Sequence, residues 1–488
     1  MDPQPWILVA GVLLIGGVVA TKTSTRLGVP SLLLFIGLGM LAGSDGIGGI
    51  EFDDVDMARS FGVVALGFIL FSGGLDTRFA DIRPVLGQGI ALASIGVALT
   101  ATVVAGLASL ALDLSVQEGV LLGAIVASTD AAAVFSILRS RGVPISPRLG
   151  ATLELESGSN DPAAVFLTVA AIELITGESS GIAMIAGSFV MQMTLGAICG
   201  YVLARGATWL LNRLHLDFDG IYPVLTVGFV LVVLEAVTMI GGSGFLALYV
   251  AGVTMANRDY IHKRSLIRFH DGLAWLMQIA MFVLLGLLVF PARLPDVALQ
   301  GLFVAVVLIL VARPLAVFVT LLPFRVPVRQ ISFVSWVGLR GATPIILATF
   351  PLAAGVPNAE RLFDVVFFVV LTSVLIQGTT IATAARRLRL VDGDAVSTRR
   401  VSFDTVITGD EGPRLHEVVV GPGSPAVDRQ ILDLDLPPGV LIVLVRRGTV
   451  SFMPQGNTVL AAGDEVLIAV EAEQSSSVAD RFLAGQAD

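Results

Sequence analysis

The sequence predicts an all-α polytopic membrane protein of about thirteen transmembrane helices, followed by a small cytoplasmic α/β domain. Three observations predict it. Of 488 residues, 55% are hydrophobic and only 14% are charged, against about 25% charged in a soluble globular chain. Apolar runs recur from Trp6 to Leu388, and about 20 such residues cross a ~30 Å hydrocarbon layer. The charge is also split. Residues 1–390 hold 23 Lys and Arg against 24 Asp and Glu, whereas residues 391–488 hold 7 against 15. This division predicts a membrane domain over 1–390, a polar linker over 391–412 and a cytoplasmic domain over 413–488. The composition excludes a soluble enzyme and a secreted scaffold, and the acidic tail argues against a nucleic-acid partner.

The apolar spans fall at about 6–20, 29–43, 60–75, 85–112, 119–138, 151–175, 182–203, 221–239, 243–256, 271–290, 298–322, 331–352 and 361–385. The first lacks a basic preceding region and a clear cleavage site, so it is expected to be a retained helix. Alternate loops hold 18 basic residues on one side and 3 on the other, Arg59, Arg293 and Arg361. The positive-inside rule then puts the N-terminus outside and the tail in the cytoplasm. Cys199 stands alone, so no intramolecular disulfide forms, and with 4 histidines no transition-metal cluster or cofactor is expected. Membrane lipid surrounds the spans.

Charged groups at bilayer depth are costly and usually functional. Asp130 is the twelfth of 20 residues in the span from Gly119 to Leu138, within Ala127-Ser128-Thr129-Asp130-Ala131-Ala132-Ala133. Small residues allow close helix contacts, and Ser and Thr satisfy backbone groups freed by unwinding. The plainer reading of Asp130 is a cap on a re-entrant half-helix. The next span carries Glu154-Leu155-Glu156-Ser157-Gly158-Ser159-Asn160-Asp161-Pro162. Helical spacing stacks Ser157 over Asp161 and Glu156 over Asn160. Pro162 frees the Gly158 carbonyl. Carboxylate, amide, hydroxyl and carbonyl oxygens together suit a hard cation. The plainer reading of Glu154 is a solvated helix entry. Arg313 and Arg340 also lie inside spans. Burial makes a carboxylate harder to ionise, so a proton and a cation compete for the same oxygens. Competition becomes exchange if the loaded site faces either side but the empty, charged one does not.

Four motifs in order, Phe71-Ser72-Gly73-Gly74-Leu75-Asp76, Ser128-Thr129-Asp130, Glu156 through Pro162, and Gly338-Leu339-Arg340-Gly341-Ala342, resemble the NhaP-type monovalent cation:proton antiporters. The similarity covers about residues 6–390. It extends to the potassium/proton branch also called cell volume regulation protein A. The resemblance implies inverted repeats, a homodimer, and a core domain moving against a dimerisation domain. It implies two crossed broken helices, the fifth near Thr129–Asp130 and the twelfth near Gly338–Pro344. It makes Asp161 the main carrier of cation and proton, with Thr129, Asp130 and Ser157 coordinating K⁺ or Na⁺. Asn160 marks an electroneutral branch. Glu156 matches the acid of a buried ion pair whose base matches Arg313 better than Arg340. Ser72 departs from some sodium carriers, which have Glu there, and Asp76 closes the same motif. Potassium is favoured over sodium. A regulated cation channel would want a repeated carbonyl filter, and a solute symporter is a further class.

In the tail, residues 414–420, 441–446, 449–453 and 464–470 read as strands, with Arg447-Gly448 as a hairpin turn, and residues 475–483 as a final helix. The stretch 439–469, with Leu460-Ala461-Ala462-Gly463-Asp464-Glu465, resembles the TrkA-C module, the C-terminal regulator of potassium conductance. That resemblance implies dimerisation and a nucleotide or other small regulator. No Gly-x-Gly-x-x-Gly half precedes it, which argues against NAD. Its plainer reading is a dimerisation domain without ligand.

Overall fold

Hydrocarbon offers no partner to a peptide group, so helices carry the chain through it. In the computed structural model the chain forms two units, Met1–Ala395 and Val396–Asp488. The described residues are 3–27, 30–177, 181–214, 216, 218–391, 414–421, 423–434, 436, 440–448 and 450–470. Apart from Val391, the linker predicted over 391–412 lies outside them, as does the helix predicted over 475–483.

The first unit is helical. Its described segments are α1 Pro3–Leu27, α2 Ser31–Ala42, α3 Val55–Asp76, α4 Phe79–Ala111, α5 in halves Val116–Ile125 and Ala131–Ser140, α6 Pro147–Thr176 and α7 Ile182–Arg213. Then come α8 Ile221–Met239, α9 Gly244–Ala256, α10 Lys263–Leu287, α11 Pro291–Phe324, α12 in halves Val328–Trp336 and Ala342–Ala353, and α13 Ala359–Arg387. Among the described residues, 7 helices are long and apolar enough to cross a membrane by themselves. α6 is not one of them despite its 30 residues, because it carries the polar run 154–162.

Four helices start well before the apolar runs. α3 begins at Val55 rather than near 60, α4 at Phe79 rather than near 85, α10 at Lys263 rather than near 271, and α11 at Pro291 rather than near 298. Asp56 and Arg59, Asp81 and Arg83, Lys263, Arg264 and Arg268, and Arg293 and Asp296 respectively lower the local hydropathy there while the chain stays helical. α4 and α11 each carry a π turn, at Leu92–Gly96 and Leu308–Ala312. In α11 the cause is visible in the sequence. Pro314 has no N–H for the carbonyl at Leu310, so the ladder widens there.

α3 packs on both α9 and α10, and glycines set the closest approach of α3 to α9. A Cβ at Gly252 would strike the Phe71 carbonyl, and one at Gly74 the Tyr249 carbonyl. The second half of α12 lies against α3 and α13. Among the described residues, one large apolar cluster fills most of this unit, with two small ones beside it.

The second unit is a four-stranded antiparallel sheet in the order β1-β4-β2-β3. Its strands are β1 Arg414–Val419, β2 Val440–Arg447, β3 Val450–Phe452 and β4 Glu465–Val470. Gly448, at φ +62°, turns β2 into β3, the left-handed backbone that glycine adopts without cost. Ile442, Val445, Leu460, Val466 and Ile468 form its separate core. Arg447 donates from Nε and Nη2 to Asp464, both at 2.7 Å, and the Ala461 N–H adds a third bond at 2.9 Å.

The hydrogen bonds from Arg447 hold the Asp464 carboxyl below its ordinary value. A carboxyl depressed in the folded state stabilises it above the unfolded pKa of about 3.9, and that stability is lost as pH falls through the folded value. The calorimetric transition of the tail should therefore be flat above about pH 5 and fall in midpoint below about pH 4. Asp464→Asn should lower the midpoint at neutral pH and flatten the acid fall.

Candidate ion-binding site

The site begins with two breaks. The first half of α5 starts with a capping box in which Ser115 and Glu118 satisfy each other's backbone, and it stops at Ile125. The second half starts at Ala131, where the Asp130 side chain accepts the Ala133 N–H at 2.9 Å. α12 stops at Trp336 and restarts at Ala342, across a stretch holding Gly338 and Gly341. The two unwound stretches meet directly: the Asp130 N–H donates to the Leu339 carbonyl at 2.8 Å.

Two long helices hold the breaks in matching ways. On α6, Ser157 Oγ accepts the Ala131 N–H at 3.1 Å and donates to the Thr129 carbonyl at 2.9 Å. On α13, Ser373 Oγ accepts the Arg340 N–H at 3.1 Å and donates to Gln377, whose amide donates to the Trp336 carbonyl at 2.7 Å. The Arg340 guanidinium, 1% exposed, donates to the Ala127 carbonyl at 2.8 Å and to that of Ser128. A cation thus stands at the carbonyl end of a half-helix, where the backbone dipole is negative.

The faces of α6 then divide by helical spacing. Glu156 is 1% exposed and faces Arg313, 3% exposed, in a buried ion pair. Arg313 also donates to the Val334 carbonyl at 3.3 Å. Its side chain runs beneath the α12 break, where a Cβ at Gly338 would lie 2.7 Å from Nε. Asn160, next on that stripe, donates to the Thr129 hydroxyl at 2.6 Å. The other stripe opens on a cavity of about 620 Å³ lined by Asp130, Ser157, Asp161 and Thr343. Asp161 is 7% exposed. Its Oδ1, with Ser128 Oγ and Asn160 Oδ1, has no hydrogen-bond partner among the described residues. Buried oxygens without donors cost free energy unless something electropositive meets them. Among the described residues, no group of three or more His, Cys, Asp or Glu could hold a metal ion. A cation here would therefore meet one or two carboxylates together with hydroxyl, amide or carbonyl oxygens.

The structure thus brings Asp130, Ser157 and Asp161 to one cavity. Thr129 and Asn160 bond to each other beside it, and Arg340 and the Glu156–Arg313 pair brace the crossing. Ser72 and Asp76 line a second cavity of about 240 Å³ with Arg139 and Asp271, and Asp76 also borders the first. Sequence reasoning missed Ser373 and Gln377. Two polar residues at i and i+4 in an apolar helix were the available signal. It also missed Thr343 and the part Glu154 plays at the cavity.

A sodium/hydrogen exchanger transmembrane model matches residues 10–387. The chain belongs to the sodium/hydrogen exchanger family. The family transports ions across membranes and is not an enzyme family. A TrkA-C domain model matches residues 415–483. The chain is 41% identical over 463 residues to the K(+)/H(+) antiporter NhaP of Alkalimonas amylolytica, covering 95% of this chain and 80% of the relative. It is 39% identical over 484 residues to the K(+)/H(+) antiporter NhaP2 of Shewanella sp. (strain ANA-3), covering 98% and 83%. The fold is similar to that of the sodium proton antiporter MjNhaP1 from Methanocaldococcus jannaschii at pH 8. The TM-score is 0.67 at 24% identity, over 78% of this chain and all of that one (100%).

Removing one partner of a buried ion pair strands the other charge, at about 3–5 kcal/mol. Glu156→Gln and Arg313→Ala should each reduce folded yield in detergent and lower the thermal midpoint. Normal midpoints in both variants would contradict a bracing role for the pair.

Proposed function

We propose that this chain is a secondary antiporter exchanging K⁺ for H⁺ across the cytoplasmic membrane. The observation that carries this reading is Asp161, buried on α6 with an unpartnered carboxylate oxygen, on the cavity it shares with Asp130 and Ser157. A proton or a dehydrated monovalent cation satisfies those oxygens, and each excludes the other. A loaded site is neutral enough to move through hydrocarbon, whereas an empty charged one is not. Exchange without net leak follows, one cation for one proton.

Asp130 supplies the second carboxylate, and Ser157 and Thr129 orient the backbone around it. Potassium is supported by the names of relatives that are 39–41% identical. Sodium is the second reading, supported by a 26% identical relative named Na(+)/H(+) antiporter 1. In this reading the chain works as a homodimer. The 18-to-3 division of basic residues between alternate loops supports an outside N-terminus and a cytoplasmic regulatory tail.

The test uses everted vesicles with an imposed pH gradient. Added K⁺ should dissipate the gradient, and Na⁺ should do so less well. The effect should be independent of membrane potential and lost in Asp161→Asn. Dissipation that persists in Asp161→Asn would refute the role of that residue. Cation flux indifferent to the proton gradient would favour a channel.

A further inference from the structure

The cavity does not end at Asp161. Glu154, Ser157, Gly158 and Asp161 all line it. These positions are i, i+3, i+4 and i+7, one continuous stripe of α6. Seven residues of helix span about 10 Å. Glu154 therefore stands on the same wall as Asp161, two turns nearer the start of α6, the end that carries Arg148 and follows Arg139 and Arg141.

The Glu154 carboxylate is held in place. Thr77, 1% exposed, donates its hydroxyl to Glu154. The Thr77 carbonyl accepts from Asn257 Nδ2 at 3.2 Å, and Asn257 Oδ1 accepts the Phe79 N–H at 2.9 Å. This fixes the short link between α3 and α4. A second polar group faces the same space. Tyr249 is 4% exposed and lines the cavity, and its hydroxyl has no hydrogen-bond partner among the described residues. It lies against α6 at Gly158, where a Cβ would collide with its ring. Asp76 and Asp81 border this end of the cavity, with Arg139 as its one lining guanidinium. An oriented carboxylate and an unpartnered buried hydroxyl, in an acidic vestibule, are ligands for a monovalent cation that keeps part of its water.

We propose that Glu154 and the Tyr249 hydroxyl form a second, entry site for the monovalent cation, about 10 Å before Asp161 on the route from the basic-loop face. The cation is caught there and passes along the α6 stripe, over Ser157, to Asp161. The proposal deepens the antiport reading, and its flux arm rests on it.

In everted vesicles, which present the cytoplasmic face, Glu154→Gln should raise the KM for K⁺ about threefold or more, with kcat within about twofold. In right-side-out vesicles the KM should stay unchanged. Tyr249→Phe should shift the KM the same way but less. Glu154→Asp, which keeps the charge, should restore most of the affinity even if Glu154→Gln folds poorly. An unchanged KM at the cytoplasmic face, an equal rise at both faces, or a loss of kcat at constant KM would overturn the entry site. A direct arm is independent of transport. Crystals of the full chain soaked in Tl⁺ should show anomalous density beside Glu154 in the wild type and in Asp161→Asn, but none in Glu154→Gln. If the wild type moves no protons in response to K⁺, the antiport reading fails, and this Tl⁺ density alone decides the site. Its absence from the wild type would overturn the proposal.

Discussion

Every peptide group freed inside a bilayer must find a partner within the protein, and this chain breaks two helices there. The whole arrangement follows from how those breaks are closed. One unwound stretch bonds to the other through the Asp130 N–H and the Leu339 carbonyl. Each is then bound by a serine from a long neighbouring helix, Ser157 on one side and Ser373 on the other. Arg340 supplies positive charge to the carbonyls at Ala127 and Ser128. Without these partners the crossing would have to regain helix, and Asp130 and Asp161 would lose their shared cavity.

The bracing also explains why so polar a helix as α6 is tolerated. The charges in its middle, Glu154, Glu156 and Asp161, are turned into the protein. Glu156 is neutralised by Arg313, Asn160 is tied to Thr129, and Glu154 takes the Thr77 hydroxyl. Asp161 is left toward the cavity with an oxygen unmatched among the described residues. A group kept short of partners can bind and release a small ion, because its unmatched oxygen stays available.

Much of this was legible in the sequence. A carboxylate in the middle of an apolar span, and a second beside Pro162, stand out because hydrocarbon penalises them individually. The two breaks, near Thr129–Asp130 and Gly338–Pro344, came from the family resemblance, since both lie inside runs that hydropathy reads as continuous. Partnerships were harder to read. Thr77 and Glu154 are 77 residues apart and Arg340 and Ser128 are 212 apart, and periodicity carries no information at such separations. The starts of α3, α4, α10 and α11 were misplaced because hydropathy registers charge, whereas helices persist through charged first turns. The strands of the tail were readable from their β-branched alternation and from Gly448.

The central claim is that a proton and a cation compete for the oxygens of Asp161. The most direct test is proton release on cation binding, measured by calorimetry of the purified full chain in buffers of different ionisation enthalpy. The account predicts that K⁺ binding near neutral pH releases about one proton per site, and that Asp161→Asn abolishes the release. Cation binding at Asp161 with no proton release would contradict it.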